Sequence, residues 1–351
     1  MQLGLVWSGL AAVVGGFGCA KVGPPVPPPR FTLAAAGDLT VTQYGEQIVL
    51  RFTRPARAVR AEVLRRVEPR DAPPALPEDV FLREARLIGF LDEAALAAAV
   101  SVTYTDRFDP QDAGWSGRRI RYAVRLVDAQ GRPSPLSSYA VVYPAAAVAQ
   151  PPDELRAEVT QDAVRLTWRP PTSNLDGSPA ADVQFNVYRR RTDGGVLSRR
   201  NDVPLTAPTF ADTDFVFGET YEYVVRAVSL VRGELIESQD TPPLQVRPVD
   251  TFPPAAPTNV TGASAAGLVN LFFPANTETD LRGYLIYRSE VESEPGKASP
   301  PIKLTPTPIQ RTTFQDRTGI GGKLYRYFVT AVDIFGNESA PSNSVEVEVV
   351  P

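Results

Sequence analysis

Apolar and polar residues alternate with a period of two along many short stretches of this chain. The clearest are Ile48–Phe52, Val164–Trp168 and Val269–Phe273, each of which ends on an aromatic residue. Such alternation is typical of a β-strand with one buried face, and turn-forming Gly, Pro, Asn and Asp residues separate the stretches. The pattern therefore predicts an all-β protein made of antiparallel sandwiches.

A second, more apolar stretch occurs three times, as Ile120–Asp128, Tyr221–Ser229 and Tyr325–Asp333, with starts 101 and 104 residues apart. The same landmarks precede each copy. They are an apolar residue five positions before the start, an aromatic-x-Asp motif, and a short apolar segment that ends in Arg. The apolar residues are Trp115, Val216 and Ile320. The aromatic-x-Asp motifs are Tyr104–Asp106, Phe210–Asp212 and Phe314–Asp316. The apolar segments are Val63–Arg65, Val187–Arg189 and Ile286–Arg288. A repeat of this length predicts three small all-β domains in tandem.

The order of these landmarks resembles that of the fibronectin type III domain, over roughly residues 30–351. The resemblance implies a tandem array of three immunoglobulin-like antiparallel β-sandwiches. Their boundaries are 30–147, 148–249 and 250–351, called domains 1, 2 and 3 below.

The family's tyrosine corner maps onto Tyr221 and Tyr325. There a buried ring returns its hydroxyl to a backbone group. Domain 1 is the divergent copy, because it has Ile120 at the corner position and a Pro-rich insert at Arg66–Glu78.

The first residues of the chain have the features of a targeting signal. Met1–Gly18 carries no charge and is apolar or small almost throughout; Cys19, the only cysteine, follows, and then a Pro-rich run to Pro29. This resembles a bacterial lipoprotein signal peptide, which implies a signal over 1–18, a lipid on Cys19 and a tether over 19–29. Ala20 resembles the signal for outer-membrane delivery. An ordinary secretory signal is the alternative. A transmembrane anchor is disfavoured, because a membrane-spanning helix needs ~20 apolar residues and this stretch is shorter.

Composition excludes several kinds of chemistry. With no histidine and one cysteine, the chain has no Ser-His-Asp triad, no His-based zinc site and no thiolate metal cluster. The net charge of −4, without a block of either sign, argues against nucleic-acid binding. We therefore predict no enzymatic activity, no cofactor and no metal site.

Four local features suggest binding, and each has a simpler interpretation. Asn276–Gly283 places oxygen side chains at alternate positions, as a calcium loop does, but Tyr287 stands where an EF-hand needs Glu, so a polar loop is favoured. Arg232-Gly233-Glu234 differs from the integrin-binding Arg-Gly-Asp and suits a hairpin tip.

The cluster Arg189–Arg191 with Arg199–Arg200 suits a charged sheet edge, with an anionic partner as the alternative. Trp115 aligns with Val216 and Ile320, which predicts a buried plug rather than a sugar-stacking ring.

Paired acids give no glycosidase site. Asp153-Glu154 and Asp92-Glu93 are neighbours in sequence, whereas glycosidase carboxylates face each other across a cleft.

The sequence thus favours a non-enzymatic, lipid-anchored envelope protein that acts as a spacer or adaptor for an envelope or extracellular protein. It faces the periplasm or the cell exterior. A carbohydrate-binding or enzyme-accessory module is the first alternative. An enzyme that uses only Asp, Glu, Ser, Tyr or Arg is the second. The linkers Pro144–Pro152 and Pro248–Pro257 contain Pro and no Gly, which predicts stiff junctions.

Overall fold

Strands account for most of the regular structure in the computed structural model, which describes residues 33–54, 56–115, 117–265, 267–292 and 297–351. The predicted signal peptide, Cys19 and the tether lie outside these residues. Among the helices described, none has the length and apolar character to cross a bilayer.

Domain 1 has two sheets. The strands are β1 Thr40–Tyr44, β2 Gln47–Thr53, β3 Arg60–Pro69, β4 Arg86–Leu91, β5 Ser101–Arg107, β6 Arg118–Val127, β7 Pro133–Leu136 and β8 Ala140–Val142. In one sheet β1, β2 and β5 follow one another; in the other the order is β4-β3-β6-β7, with β8 also paired to β6.

The insert predicted at Arg66–Glu78 is shorter than expected. Strand β3 continues through Pro69, and its pairing with β6 extends to Pro69↔Arg118. The last part of β3 is held by a buried carboxylate, because Glu68 accepts hydrogen bonds from Arg119 (2.7 Å) and Arg121 (3.0 Å). The loop then leads into the helix α1, Glu78–Glu84, whose Phe81 packs on Leu64. A second helix, α2, covers Glu93–Ala97.

Domain 2 repeats the two-sheet arrangement. Its strands are β9 Asp153–Val159, β10 Val164–Arg169, β11 Gln184–Arg191, β12 Ser198–Arg199, β13 Thr209–Asp212, β14 Tyr221–Val231, β15 Glu234–Glu237 and β16 Leu244–Val246. One sheet has the order β13-β10-β9; in the other β12-β11-β14-β15 follow one another, with β16 also paired to β14. Strand β10 alternates buried and exposed residues along its whole length, as the sequence pattern predicts.

Domain 3 also consists of two packed sheets. Its strands are β17 Thr261–Ala265, β18 Leu268–Phe272, β19 Leu281–Glu290, β20 Ile302–Lys303, β21 Thr313–Asp316, β22 Leu324–Asp333 and β23 Val345–Glu348. The sheet β17-β18-β21 packs against the sheet β20-β19-β22-β23. The core between them contains Phe273, whose ring meets that of Tyr284 edge-on at 4.8 Å.

The predicted fold class is confirmed: the chain is a series of fibronectin-type-III-like β-sandwiches. The thrice-repeated apolar stretch forms β6, β14 and β22, the central strands of the larger sheets. The opening aromatics Phe52, Trp168 and Phe273 are buried.

Contacts along the chain define two compact units. The first runs to Thr42 and includes Val49–Asp106 and Ser116–Tyr143; the second comprises Gln43–Ile48, Arg107–Trp115 and Pro144–Pro351. Domains 2 and 3 therefore belong to one unit.

Candidate functional site

The two predicted corner tyrosines lie buried at the starts of β14 and β22. The hydroxyl of Tyr221 accepts a hydrogen bond from the backbone N–H of Val216 at 2.9 Å, and that of Tyr325 accepts one from Ile320 at 3.4 Å. The hydroxyl is thus the acceptor in both bonds. Arginine guanidinium groups cover the two rings, Arg189 at 4.6 Å from that of Tyr221 and Arg288 at 4.5 Å from that of Tyr325.

The predicted buried plug is wrong for two of the three aligned residues. Val216 is 59% exposed and Ile320 is 58% exposed, while Trp115 is half-buried and meets Phe108 edge-on at 5.9 Å. In domains 2 and 3 the corner uses the backbone N–H of the aligned residue, so its side chain is free to point into solvent.

A buried Arg–Asp–Tyr cluster occurs in all three domains. In each, the aspartate of the aromatic-x-Asp motif accepts a hydrogen bond from the tyrosine at the third position of the repeated apolar stretch and pairs with the arginine that ends the apolar segment. The tyrosine-to-aspartate distances are 2.7 Å for Tyr122 and Asp106, 2.8 Å for Tyr223 and Asp212, and 2.9 Å for Tyr327 and Asp316. The arginine-to-aspartate distances are 2.9 Å for Arg65, 2.7 Å for Arg189 and 2.6 Å for Arg288.

The electrostatics of these clusters suit a structural role. Burial, followed by the neighbouring aspartate, raises the pKa of Tyr122, Tyr223 and Tyr327. Burial tends to raise the pKa of Asp316, but hydrogen bonds from Thr318, Tyr327 and Arg288 outweigh it and hold that pKa below its usual value. Each carboxylate binds an arginine and a tyrosine from two other strands, so it ties three strands together. The arginine, the aspartate and the tyrosine each belong to a motif that recurs in the sequence, but only the fold shows that they contact one another.

The basic cluster of domain 2 lies along β11 and β12, at the edge of the larger sheet, as predicted. Its arginines are mostly paired within the domain. Arg190 contacts Glu222 at 2.6 Å, Arg191 contacts Asp193 and Glu219 at 2.8 Å each, and Arg200 contacts Asp214 at 2.5 Å. Arg199 donates to the carbonyl of Asp202. This pairing leaves little positive charge for an anionic partner and favours the sheet-edge interpretation.

Arg232-Gly233-Glu234 forms the tip of the hairpin between β14 and β15. Arg232 and Gly233 both have positive φ, 54° and 84°, as a type I′ turn requires. Val231 and Glu234 are paired across the turn.

The two acidic pairs are engaged locally. Arg169 pairs with Asp153 at 2.6 Å and with Glu154 at 2.8 Å. Asp92 caps α2 by accepting from the N–H of Ala95. Neither pair forms two carboxylates facing across a cleft.

Two side chains of the oxygen-rich loop of domain 3 are hydrogen-bonded to another part of the chain. Asn276 donates to the carbonyl of Ala255, and Glu278 accepts from the N–H of Ala255 at 2.7 Å. These bonds fasten the loop to the linker before domain 3.

Asp280 instead meets two aspartates from elsewhere in the chain. One carboxylate oxygen each from Asp250, Asp280 and Asp333 lies within 4.8 Å of the others, and Asp250 and Asp333 are buried. Asp333 accepts from the N–H groups of Phe335 and Asn337 and from the Asn337 amide. Calcium takes six to eight oxygens, so three carboxylates would supply part of such a shell. Sequence reasoning missed this set because its members come from a linker, a loop and a strand end.

The chain is similar in sequence to part of a known enzyme. The chain is 28% identical over 194 residues to Exoglucanase B of Cellulomonas fimi; the match covers 54% of this chain and 15% of that protein's length. No known protein-family profile matches the chain. A crystal structure of the chicken CNTN1 FN1-FN3 domains covers 91% of this chain and 99% of its own, with 12% identity and a TM-score of 0.28.

Proposed function

We propose that this chain is a non-enzymatic envelope protein, anchored by a lipid on Cys19, that serves as a spacer and adaptor for another envelope or extracellular protein. The observation that carries the proposal is the repeated sandwich, in which the Arg–Asp–Tyr clusters and most of the basic cluster of domain 2 are paired internally. These paired side chains hold strands together. None of the candidate residues considered above is an activated nucleophile or a general base.

The proposed location is the outer membrane. The uncharged apolar start, the small residue Gly18 and Ala20 after Cys19 support export with a lipid anchor. The Pro-rich tether supports a spacer role, because polyproline II stays extended and would hold domain 1 away from the lipid.

Substitution of the cysteine tests the anchor. We expect wild-type protein in the membrane fraction, with the mass of a diacylglyceryl group added at a new N-terminus that begins at Cys19. Cys19→Ser should move the protein to the soluble fraction with its thermal unfolding unchanged. A soluble wild-type protein with a free thiol would contradict the anchor.

Crosslinking tests the adaptor role. Formaldehyde treatment of intact cells should yield a reproducible adduct of the wild-type protein with one defined envelope protein. The Cys19→Ser variant should lose this adduct if the anchor brings the partners together. Wild-type protein without a reproducible protein adduct would reject the adaptor role and leave the anchor result intact.

The second candidate function is an accessory module of a glycan-degrading system. The observation that favours it is the 28% identity to part of Exoglucanase B. Co-sedimentation with insoluble β-glucan is the test, and we expect retention of the full chain on the polymer if this candidate holds. Protein that stays in the supernatant would rule out a neutral-glucan module.

A further inference from the structure

The outer face of the smaller sheet of domain 3 carries a shallow groove of about 350 Å³. Besides Leu271 and Phe314, the residues that line the groove are two arginines, two amides, a threonine and a half-exposed phenylalanine: Arg311, Arg317, Asn270, Gln315, Thr313 and Phe272. None of these residues takes part in the clusters described above.

Strand register places the groove residues on one surface. Asn270 of β18 lies opposite Gln315 of β21, and Phe272 lies opposite Thr313. Because side chains two apart on a strand share a face, these four project to solvent while the intervening Leu271 points into the core.

Hydrogen bonds already order the polar part of this surface. The Nε–H of Arg317 donates to the side-chain oxygen of Gln315 at 2.8 Å, and the Gln315 amide donates to Asn270 at 3.1 Å. The result is a fixed row of one guanidinium and two amides. Beside it lies Phe272, which is 49% exposed, a large apolar fraction for a residue on a polar face.

The charge of this face differs from that of the equivalent face in domain 2. There Arg169 is paired with Asp153 and Glu154, and Arg156 is paired with Glu154. In domain 3, the described residues of β17, β18 and β21 contain one carboxylate, the buried Asp316, which belongs to the core cluster. Among the described residues, no acid lies within ion-pair distance of Arg311 or Arg317. This sheet face therefore presents two uncompensated positive charges.

We propose that this face binds a carboxylated polysaccharide, one that contains uronate units. A guanidinium pairs with a carboxylate through two parallel N–H···O bonds, so Arg311 and Arg317 suit uronate groups. The side-chain amides both donate and accept, as sugar hydroxyls require. The half-exposed ring of Phe272 offers an apolar surface to the C–H face of a sugar.

A nucleic acid fits the face less well. Duplex DNA carries one charge per about 1.7 Å, and proteins that bind it match this density with a basic stripe. This chain has a net charge of −4 and offers two arginines here. A uronate chain, with at most one charge per sugar, suits two separated guanidinium groups. The inference rests on domain 3 alone and does not depend on the proposed anchor or adaptor role.

Affinity electrophoresis of the full chain in gels that contain polygalacturonate tests the proposal. We expect retardation of the wild-type protein that weakens as salt is raised. The double variant Arg311→Gln/Arg317→Gln should bind roughly tenfold more weakly or worse, because two charge-assisted contacts are lost. Phe272→Thr should weaken binding without changing charge. Arg282→Gln, an exposed arginine on the other sheet of domain 3, is the matched control and should bind as the wild type does.

Several results would overturn the proposal. These are no retardation by polygalacturonate, equal retardation by a neutral glucan, or equal loss in Arg282→Gln and the double variant. Stronger binding to duplex DNA than to polygalacturonate would assign the face to another class of polyanion. Circular dichroism melting of every variant separates lost binding from lost folding, since all four substituted side chains are on the protein surface. Cell fractionation and crosslinking are independent of this assay, so the proposed function can fail while the inference stands.

Discussion

At the scale of single residues, the aspartates of the repeated aromatic-x-Asp motif are paired inside the fold. Asp212 and Asp316 are almost fully buried, yet each faces an arginine and a tyrosine hydroxyl. A buried carboxylate without such partners would be strongly destabilising. These two aspartates therefore stabilise the fold.

The two corner tyrosines are expected to differ in importance. Tyr221→Phe should destabilise domain 2 by about 1 kcal/mol, because the N–H of Val216 loses an acceptor at 2.9 Å while the ring stays packed. Tyr325→Phe should cost less, since its bond from Ile320 is 3.4 Å long. Calorimetry of both variants measures the difference. If both substitutions lower the free energy of unfolding by the same amount, and by more than about 1 kcal/mol, the packing of the ring is disturbed and not only the bond to the hydroxyl.

Asp316 should make domain 3 sensitive to acid. Its pKa in the folded state lies below the ordinary value, so its stabilising contribution is present above about pH 4 and is lost as the pH falls through the folded value. Asp316→Asn should cost roughly 3 kcal/mol at pH 7, because Arg288 loses the carboxylate that balances its charge. Calorimetry from pH 7 to pH 2 should show the gap between variant and wild type narrowing below pH 4. A gap that is constant with pH would contradict the role of the ionised carboxylate.

At the scale of elements, one glycine decides the course of β19. Gly283 has φ of 153°, and a Cβ there would lie 2.6 Å from the carbonyl oxygen of Ile309. The register with β22 shifts between Leu281 and Gly283. The close approach lets Tyr284 and Ile309 exchange backbone hydrogen bonds at 2.8 and 2.9 Å. The strand thus needs a residue without a side chain at its irregular point.

Gly283→Ala should therefore destabilise domain 3 by about 1–3 kcal/mol, because a backbone carbonyl cannot move aside as a flexible side chain can. Hydrogen exchange should rise at Tyr284 and Ile309. Gly321→Ala is the control in the same domain, since its Cβ would meet ordinary contacts of 3.4–3.6 Å. If both variants unfold at the wild-type temperature, the close approach is not needed for stability.

At the scale of the whole molecule, domains 2 and 3 belong to one compact unit. Rings from both sides contribute to the junction: Phe217 of domain 2 meets Phe335 of domain 3 edge-on at 5.8 Å and Phe252 of the linker at 6.5 Å. Asn337 also donates to the carbonyl of Asp250 in the linker. These contacts join domains 2 and 3 at the second linker.

Phe335→Ser should loosen this junction without harming either core, because Phe335 is 50% exposed. We expect domains 2 and 3 to unfold in more widely separated calorimetric transitions than in the wild-type protein. Ile334→Ser, an exposed neighbour outside the ring contacts, should leave the transitions unchanged. Identical transitions in all three proteins would mean that the rings do not couple the domains.

Local sequence determined the parts of this protein that depend on neighbours in the chain. The period of two located the strands that open each domain, and the repeat located the central strands β6, β14 and β22, because each strand's alternation is set by its own buried face. The first domain was harder to predict. From sequence, Arg66–Pro69 is assigned to the start of the Pro-rich insert Arg66–Glu78, whereas in the structure it continues a strand whose Glu68 binds Arg119 and Arg121 across the sheet.

Tertiary structure alone decided which polar groups meet. Asp250, Asp280 and Asp333 are far apart in sequence and come together because a linker, a loop and a strand end converge. Val216 and Ile320 are exposed because the corner binds their backbone N–H and leaves their side chains outside. The uncompensated arginines of domain 3 appear as a surface only when β18 and β21 pair in register. Charge interactions depend on distance in space, and a linear pattern carries that distance only within a strand or a turn.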